Sequence, residues 1–208
     1  IKKTIKPFNK TIEIEGDKSL SIRWALLASQ AEGKSISTNL LESEDVLSTL
    51  QCLKKLGVKI NKSKNNCKIH GVGINGYNYN KKITLNAGNS GTLSRLILGL
   101  LIHSKNKIKI IGDKSLSKRD FLRVTEPLKR FGAKIKSKNG KLPITILGTS
   151  KPKPIKYEEK KGSAQCKSAV MFAALNTVGQ TIIKAKKSRN HSELLFKHLN
   201  VPIKVTKK

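Results

Sequence analysis

"LKKLGVKI" occupies residues 53–60, and the chain writes the same phrase twice more, as "LKRFGAKI" at 128–135 and "FKHLNVPI" at 196–203. Each reads as the last turn of an amphipathic helix, a Gly or Asn that closes it, and the start of a strand. The starts are 75 and 68 residues apart. A second marker repeats with a similar period. Helix-like runs open at "KSLSIRWALLASQAEG" from Lys18, "NSGTLSRLILGLL" from Asn89 and "GSAQCKSAVMFAALN" from Gly162, with marker serines Ser19, Ser90 and Ser163 spaced 71 and 73. Two independent markers at one period point to a unit of about 70 residues written three times.

The order inside a unit is legible. A strand leads in, as in "TIEIE" (11–15) and "KITLNAG" (82–88), and the marked helix follows. β-rich stretches come next: "SISTNLL" (35–41), "KIKIIGD" (107–113) and "QTIIKAK" (180–186). In the second helix of the first unit, Val46, Leu50, Leu53 and Leu56 fall at helical spacing. "VKINKS", "CKIHGV", "AKIKSK" and "LPITILG" read as closing strands, separated by turn clusters "SKNN" and "SKNG". The pattern predicts an α+β fold of three βαβαββ units around a pseudo-threefold axis, with the marked helices inward sharing one core.

Composition sets the bounds. The 208 residues carry a formal charge of +30, from 43 Lys and Arg against 13 Asp and Glu. Such a field attracts polyanions and small anions alike. Lys, Ile and Asn are abundant throughout, as in proteins from AT-rich genomes, so part of the excess reads as solvated surface. Hydrophobic residues make up 37%, enough for a core, and Leu, Ile, Val and Ala must fill it because only five Phe, three Tyr and one Trp contribute. Cys52, Cys67 and Cys166 form no CxxC and suit neither zinc nor a disulfide framework, which points to a reducing compartment such as the cytoplasm. "IKKTIKPFNK" is basic with no apolar core behind it and does not read as a signal peptide, and the longest apolar run is too short to span a membrane.

If three first helices pack about one axis, their N-termini gather at one end. Each brings free N–H groups and a partial positive charge. Each also carries a cation one turn in: Arg23 four residues after Ser19, Lys167 four after Ser163, Arg95 three after Thr92. "GDKSLSKR" (112–119) and "KKSRNHSE" (186–193) add further cations. The small-residue stretch "LNAGNSGTLSRL" (85–96) then reads as an anion loop as well as a turn and cap.

Five motifs, "GDKSLSIRWALLASQAEG", "NAGNSGTLSRLILGLL", "GDKSLSKRDFLRVTEPLKRFGAKI", "GSAQCKSAVMFAAL" and "SRNHSE", stand in the order seen in 5-enolpyruvylshikimate-3-phosphate synthases, and the chain resembles that family over nearly its whole length. The resemblance implies two similar domains of three βαβαββ units each. It also implies transfer of the carboxyvinyl group of phosphoenolpyruvate to the 5-hydroxyl of shikimate 3-phosphate. No cofactor and no metal are implied. Position by position, Lys18 corresponds to a residue touching both substrates and counted as catalytic, while Ser19 and Arg23 correspond to shikimate contacts. Asn89, Gly91 and Thr92 correspond to the phosphoenolpyruvate loop, and Arg119 to the arginine that grips that substrate's phosphate or carboxylate. Ser163, Gln165 and the Ala164 backbone correspond to groups around the shikimate phosphate and ring hydroxyls, and Ser188 and Arg189 to the last contacts on this side.

Two departures from the family pattern stand out. Glu15 replaces a frequent Pro, and Asp120 follows Arg119 where Pro is usual, setting a carboxylate beside that arginine. The chain is also about half the family's length. It resembles the N-terminal half, and the family's acid/base carboxylates, a lysine and further arginines fall outside it. The expected division is a strand at 1–10 belonging to the other domain, then a shikimate-3-phosphate-binding domain over 11–208 with repeats at about 11–75, 76–150 and 151–208. The expected partners are the two substrates and the C-terminal half, with no membrane and no nucleic acid, and these residues alone are expected to be inactive. Two other readings fit the motifs less well. UDP-N-acetylglucosamine enolpyruvyl transferases carry Lys-Asn where this chain has Lys18-Ser19, and a reactive loop cysteine whose context neither Cys67 nor Cys166 matches. A basic nucleic-acid-binding protein, like RNA 3′-phosphate cyclase in fold, accounts for the charge, but no stretch interleaves aromatic and basic residues.

Overall fold

The computed structural model describes residues 9–206. The middle unit contains every element the repeat predicts. Strand β4 (Ile83–Asn86) leads into helix α3 (Gly91–Leu100), which is extended by one 3₁₀ turn at Leu101–His103. Strand β5 (Ile108–Ile111), the short helix α4 (Lys114–Ser117), helix α5 (Leu122–Arg130) and strands β6 (Lys134–Lys138) and β7 (Lys141–Leu147) complete it. Its sheet runs β4-β5-β7-β6: β4 and β5 are parallel across the α3 crossover, and the other two pairings are antiparallel.

The first unit repeats the same plan without the leading strand. Helices α1 (Lys18–Gln30) and α2 (Glu44–Lys55) alternate with strands β1 (Glu32–Ser37), β2 (Lys59–Ser63) and β3 (Asn66–Val72), and the sheet order β1-β3-β2 matches β5-β7-β6 of the middle unit. "TIEIE" forms no strand. Its alternation is present, but the apolar face covers nothing, since Ile12 and Ile14 are each 76% exposed. The segment instead runs past the loop at Asn39, whose side-chain amide donates to the Ile14 carbonyl at 3.3 Å.

The third unit shows the first four of the six elements of the plan. Strands β8 (Lys156–Glu159) and β9 (Ile182–Ala185) pair in parallel around helix α6 (Ala164–Leu175), and helix α7 (His191–His198) follows. The strand expected to start in "FKHLNVPI" is absent. An outer strand needs an inner one between it and β9, and no described residue forms it. Most of the expected strand 1–10 lies outside the described residues, and residues 9 and 10 are exposed and not in a strand.

The repeated phrase does what its composition dictates. Gly57, Gly132 and Asn200 all take positive φ, at 89°, 109° and 54°, immediately after the second helix of each unit. Gly adopts this conformation at no steric cost, and Asn at little.

The core lies between the marked helices and the inner faces of the sheets. In α3 every residue except Arg95 is buried, and Cys166 to Ala173 are buried in α6. These two helices meet backbone to backbone. A Cβ built on Gly99 would lie 2.3 Å from the Ala169 carbonyl oxygen. Ile108, Ile110, Ile144 and Ile146 close the core from the middle sheet, each fully buried.

Gly99→Ala must therefore push α3 and α6 apart, and it is expected to lower the unfolding free energy by about 1–3 kcal/mol. Ser94→Ala, on the same helix, removes a buried hydroxyl with no partner among the described residues and is expected to be neutral or stabilising. Thermal unfolding of both variants checks the contrast.

Candidate active site

The three central helices begin in the same way. Asp17 Oδ1 accepts from Leu20 N at 2.7 Å, Ser90 Oγ from Leu93 N at 3.2 Å, and Ser163 Oγ from Cys166 N at 3.2 Å. In each case the N-cap side chain satisfies the third N–H of the helix. The first two N–H groups, on Lys18 and Ser19, Gly91 and Thr92, and Ala164 and Gln165, have no hydrogen-bond partner among the described residues. Asp17, Ser90 and Ser163 are spaced 73 and 73 residues apart. The expectation that Ser19 is the counterpart of Ser90 and Ser163 is thus corrected. The cap is Asp17, and Ser19 occupies the second helical position, alongside Thr92 and Gln165.

The helix starts are locked side by side. Gln165 Nε2 donates to Thr92 Oγ1 at 3.0 Å, tying α6 to α3 at that second position. Arg95 closes the joint. Its Nη1 donates to Gly91 O at 3.0 Å and Gln165 Oε1 at 3.1 Å, and its Nη2 to Asp120 O at 3.2 Å. Its guanidinium also lies over the buried Phe121 ring, 4.7 Å from the centroid. A turn further along, Arg23 ties α1 to α6 and α7. Its Nε donates to Ser192 Oγ at 2.8 Å, its Nη2 to Ser168 Oγ at 3.3 Å and its Nη1 to Ser19 O at 2.9 Å.

Arg23 is only 3% exposed, and no carboxylate pairs with it among the described residues. Burial lowers its pKa from the ordinary guanidinium value, while the Glu193 and Asp17 carboxylates oppose that shift. Burial likewise lowers that of Arg95. A buried cation held by hydroxyls and a carbonyl is costly unless an anion completes it.

Lys167 does not play that part. It is buried and paired with Glu193, so the cation expected at the third helix start is already neutralised. Counted from the true caps, Arg23, Arg95 and Lys167 stand at offsets six, five and four, so the three cations are not equivalent.

Arg95, Arg119, Asp120, Arg123, Ser163 and Gln165, with Cys166, line a cleft of about 410 Å³ at the α3–α6 joint. Gly91 packs against two of the lining arginines. A Cβ built there would lie 2.7 Å from Arg95 Nη1 and 3.0 Å from Arg119 Nη1. Only a glycine leaves both guanidinium groups where they are. Asn89 is exposed, donating to Asp113 Oδ2 at 2.6 Å and accepting from Arg119 Nη2 at 3.4 Å. Ser163 and Gln165 border the cleft, and Ala164 stands between them with a free N–H. Ser188 Oγ is buried with no partner among the described residues, and Arg189 is exposed near Arg23. Lys18 is not part of the cleft lining. It is half-exposed and paired with Asp45 of α2 at 3.2 Å.

Reading the sequence did not single out Arg123 or Glu159. Glu159 is 3% exposed and pairs with Arg123, and its carboxylate also accepts from Ser163 N at 2.7 Å and Lys161 N at 3.3 Å. Burial works to raise the pKa of this carboxyl, but the bonds from Ser163 N–H, Arg123 and Lys161 N–H outweigh it and hold it below its ordinary 4.5. The two residues are 36 positions apart on different units, and no local pattern marks the pair.

Fold and cleft together define a repeat-built domain whose α3 and α6 N-termini meet beside a cleft lined with arginines. Comparisons with known proteins sharpen that class. The sequence profile of EPSP synthase (3-phosphoshikimate 1-carboxyvinyltransferase) matches residues 2–208, so the chain belongs to that family. The 3-phosphoshikimate 1-carboxyvinyltransferase of Ruthia magnifica subsp. Calyptogena magnifica is 43% identical over 98% of this chain and 47% of its own length. That of Streptococcus mutans serotype c is 43% identical over 92% of this chain and 46% of its own. The structure of EPSP synthase from Acinetobacter baumannii superposes with a TM-score of 0.88 at 36% identity, covering 94% of this chain and 44% of that one. The chain thus spans about half the length of the curated relatives it matches. These relatives do not favour the nucleic-acid reading of the +30 charge. No helix among the described residues is long and apolar enough to cross a membrane.

Glu159→Gln is expected to cost about 1–3 kcal/mol of stability at neutral pH. The sign with pH follows from the depressed pKa. On acidification the unfolded chain takes up the Glu159 proton before the native one, so the wild-type advantage is full above the ordinary carboxylate range. It fades as pH falls through the lowered native value. Denaturant unfolding at neutral and acid pH should show the two proteins converging in acid, and a constant gap would contradict the assignment.

Proposed function

We propose that these residues form the shikimate-3-phosphate-binding half of a 3-phosphoshikimate 1-carboxyvinyltransferase. The enzyme joins the carboxyvinyl group of phosphoenolpyruvate to the 5-hydroxyl of shikimate 3-phosphate and releases phosphate. The observation that carries this reading is Arg23, a buried guanidinium held by Ser168 and Ser192 hydroxyls with no carboxylate of its own. An anionic group of shikimate 3-phosphate supplies the missing charge.

The shikimate 3-phosphate site then comprises Lys18, Ser19, Arg23, Ser163, Ala164, Gln165, Ser188 and Arg189. The free N–H groups of Ala164 and Gln165 and the orphaned Ser188 hydroxyl offer donors for phosphate or ring oxygens. Phosphoenolpyruvate takes the neighbouring cleft, against Asn89, Gly91, Thr92 and Arg119, with Lys18 reaching it on release from Asp45. Gln165 stands at the border, since its side chain is already bound to Thr92 and Arg95 of the second site.

This half contributes placement and preorganised charge, which lower the barrier by fixing two anions in reacting geometry. The reaction also needs one group to protonate the methylene carbon and another to take the hydroxyl proton. Those groups we assign to the other half of the family's length, so the 208 residues alone bind without turning over. We place the protein in the cytoplasm, in keeping with its three free cysteines.

Calorimetry tests the reading. Shikimate 3-phosphate should bind the 208-residue chain more tightly than shikimate does. Arg23→Ala should cost roughly 10- to 100-fold in affinity, the worth of one charge-assisted contact. Equal affinity for the unphosphorylated ring would overturn it.

A further inference from the structure

The motif "GDKSLS" occurs twice, at 16–21 and 112–117, and its Asp caps a helix both times. The second copy does more. Asp113 Oδ1 accepts from Leu116 N at 2.6 Å and so caps α4, the short helix that delivers Arg119. Its other oxygen, Oδ2, accepts from Asn89 Nδ2 at 2.6 Å. Asn89 Oδ1 in turn accepts from Arg119 Nη2 at 3.4 Å. The result is a closed ring: carboxylate to helix to arginine, arginine to amide, amide back to carboxylate. Backbone bonds hold its frame, with Asp113 N donating to Gly88 O at 2.9 Å and Ala87 N to Ile111 O at 2.9 Å.

The chemistry of the groups fixes the direction. An ionised carboxylate only accepts, so Asn89 must turn its NH₂ toward Asp113. Its carbonyl oxygen is then left facing Arg119, as a guanidinium requires. We propose that Asp113 is a positioning residue for Arg119, acting through the Asn89 amide. The proposal rests on the reading of Arg119 as the arginine that meets phosphoenolpyruvate. The bonds from Leu116 N–H and Asn89 also hold the Asp113 carboxyl below its ordinary pKa, so the acceptor state persists throughout the neutral range.

Two roles for Asp113 predict opposite signs. As a mere negative charge near the cleft it repels an anionic substrate, and its removal tightens binding. As the anchor of Asn89 it aids binding, and its removal weakens it. Asp113→Asn separates these effects from the helix cap, because Asn caps as well as Asp. The new amide, with its oxygen on Leu116 N–H, presents NH₂ to Asn89. Asn89 must then flip and turn its own NH₂ toward Arg119. Asp113→Ser is the second variant: it keeps a capping hydroxyl but is too short to reach Asn89.

The experiment titrates phosphoenolpyruvate into the 208-residue chain, with shikimate 3-phosphate present, for the wild type and five variants. These are Asp113→Asn, Asp113→Ser, Asn89→Ala, the double variant Asp113→Asn/Asn89→Ala, and Arg119→Ala. Both Asp113 variants should bind roughly three- to tenfold more weakly with an unchanged unfolding midpoint, as expected for one misplaced charge-assisted contact. In the Asn89→Ala background the Asp113→Asn effect should vanish, since the path runs through that amide. Unchanged or tighter binding by the Asp113 variants overturns the proposal, and so does an undiminished effect in the Asn89→Ala background. Loss with Arg119→Ala but not with Asp113→Asn overturns the positioning role and leaves the site reading standing. No loss with Arg119→Ala overturns both.

Discussion

One hydrogen bond, made three times, sets up the rest of the molecule. A helix start carries more N–H groups than its own carbonyls can satisfy. In α1, α3 and α6 the N-cap side chain takes the third N–H and leaves the first two open, at Asp17, Ser90 and Ser163. Because the caps recur every 73 residues, the open groups fall at equivalent places in three packed units. Their partial charges then add at one end of the core. What the fold supplies is a fixed frame of donors.

The third unit mediates between the other two. Ser168 and Ser192 accept from Arg23 of the first unit, while Gln165 accepts from Arg95 and donates to Thr92 of the second. α6 therefore borders both proposed substrate positions, and it packs tightly against α3 at Gly99. The acids near these positions are committed to particular partners. Glu193 neutralises Lys167, Glu159 holds Arg123 and the Ser163 N–H, and Asp113 holds Asn89. In each case a carboxylate that would repel a bound anion instead orders a donor beside it.

Much of this was legible in the sequence, for physical reasons. Gly57, Gly132 and Asn200 advertise left-handed helix ends, and the unbroken apolar runs after Ser90 and Ser163 fit helices buried on all sides. The register of the first helix was harder to read. In "GDKSLS", Asp17, Ser19 and Ser21 are all competent caps, and only the local geometry selects Asp17. "TIEIE" carries a strand alternation, but alternation forms a strand only when a ladder partner and a covered face exist. The pairs that set the cleft's electrostatics were illegible. Lys167 with Glu193 and Arg123 with Glu159 join residues 26 and 36 positions apart in sequence, and helical or strand periodicity carries no trace of such contacts.

The central claim is that the three helix starts receive two anionic substrates, α1 and α6 the first and α3 the second. Amide ¹H–¹⁵N spectra recorded during titration with shikimate 3-phosphate test it most directly. The account predicts the largest shifts at the uncapped amides, Lys18 and Ser19 on α1 and Ala164 and Gln165 on α6, with Gly91 and Thr92 responding when phosphoenolpyruvate is added. Leu20, Leu93 and Cys166, whose amides are already bonded to the caps, should move less. Shifts spread over the lysine-rich outer strands, with the helix starts silent, would contradict it.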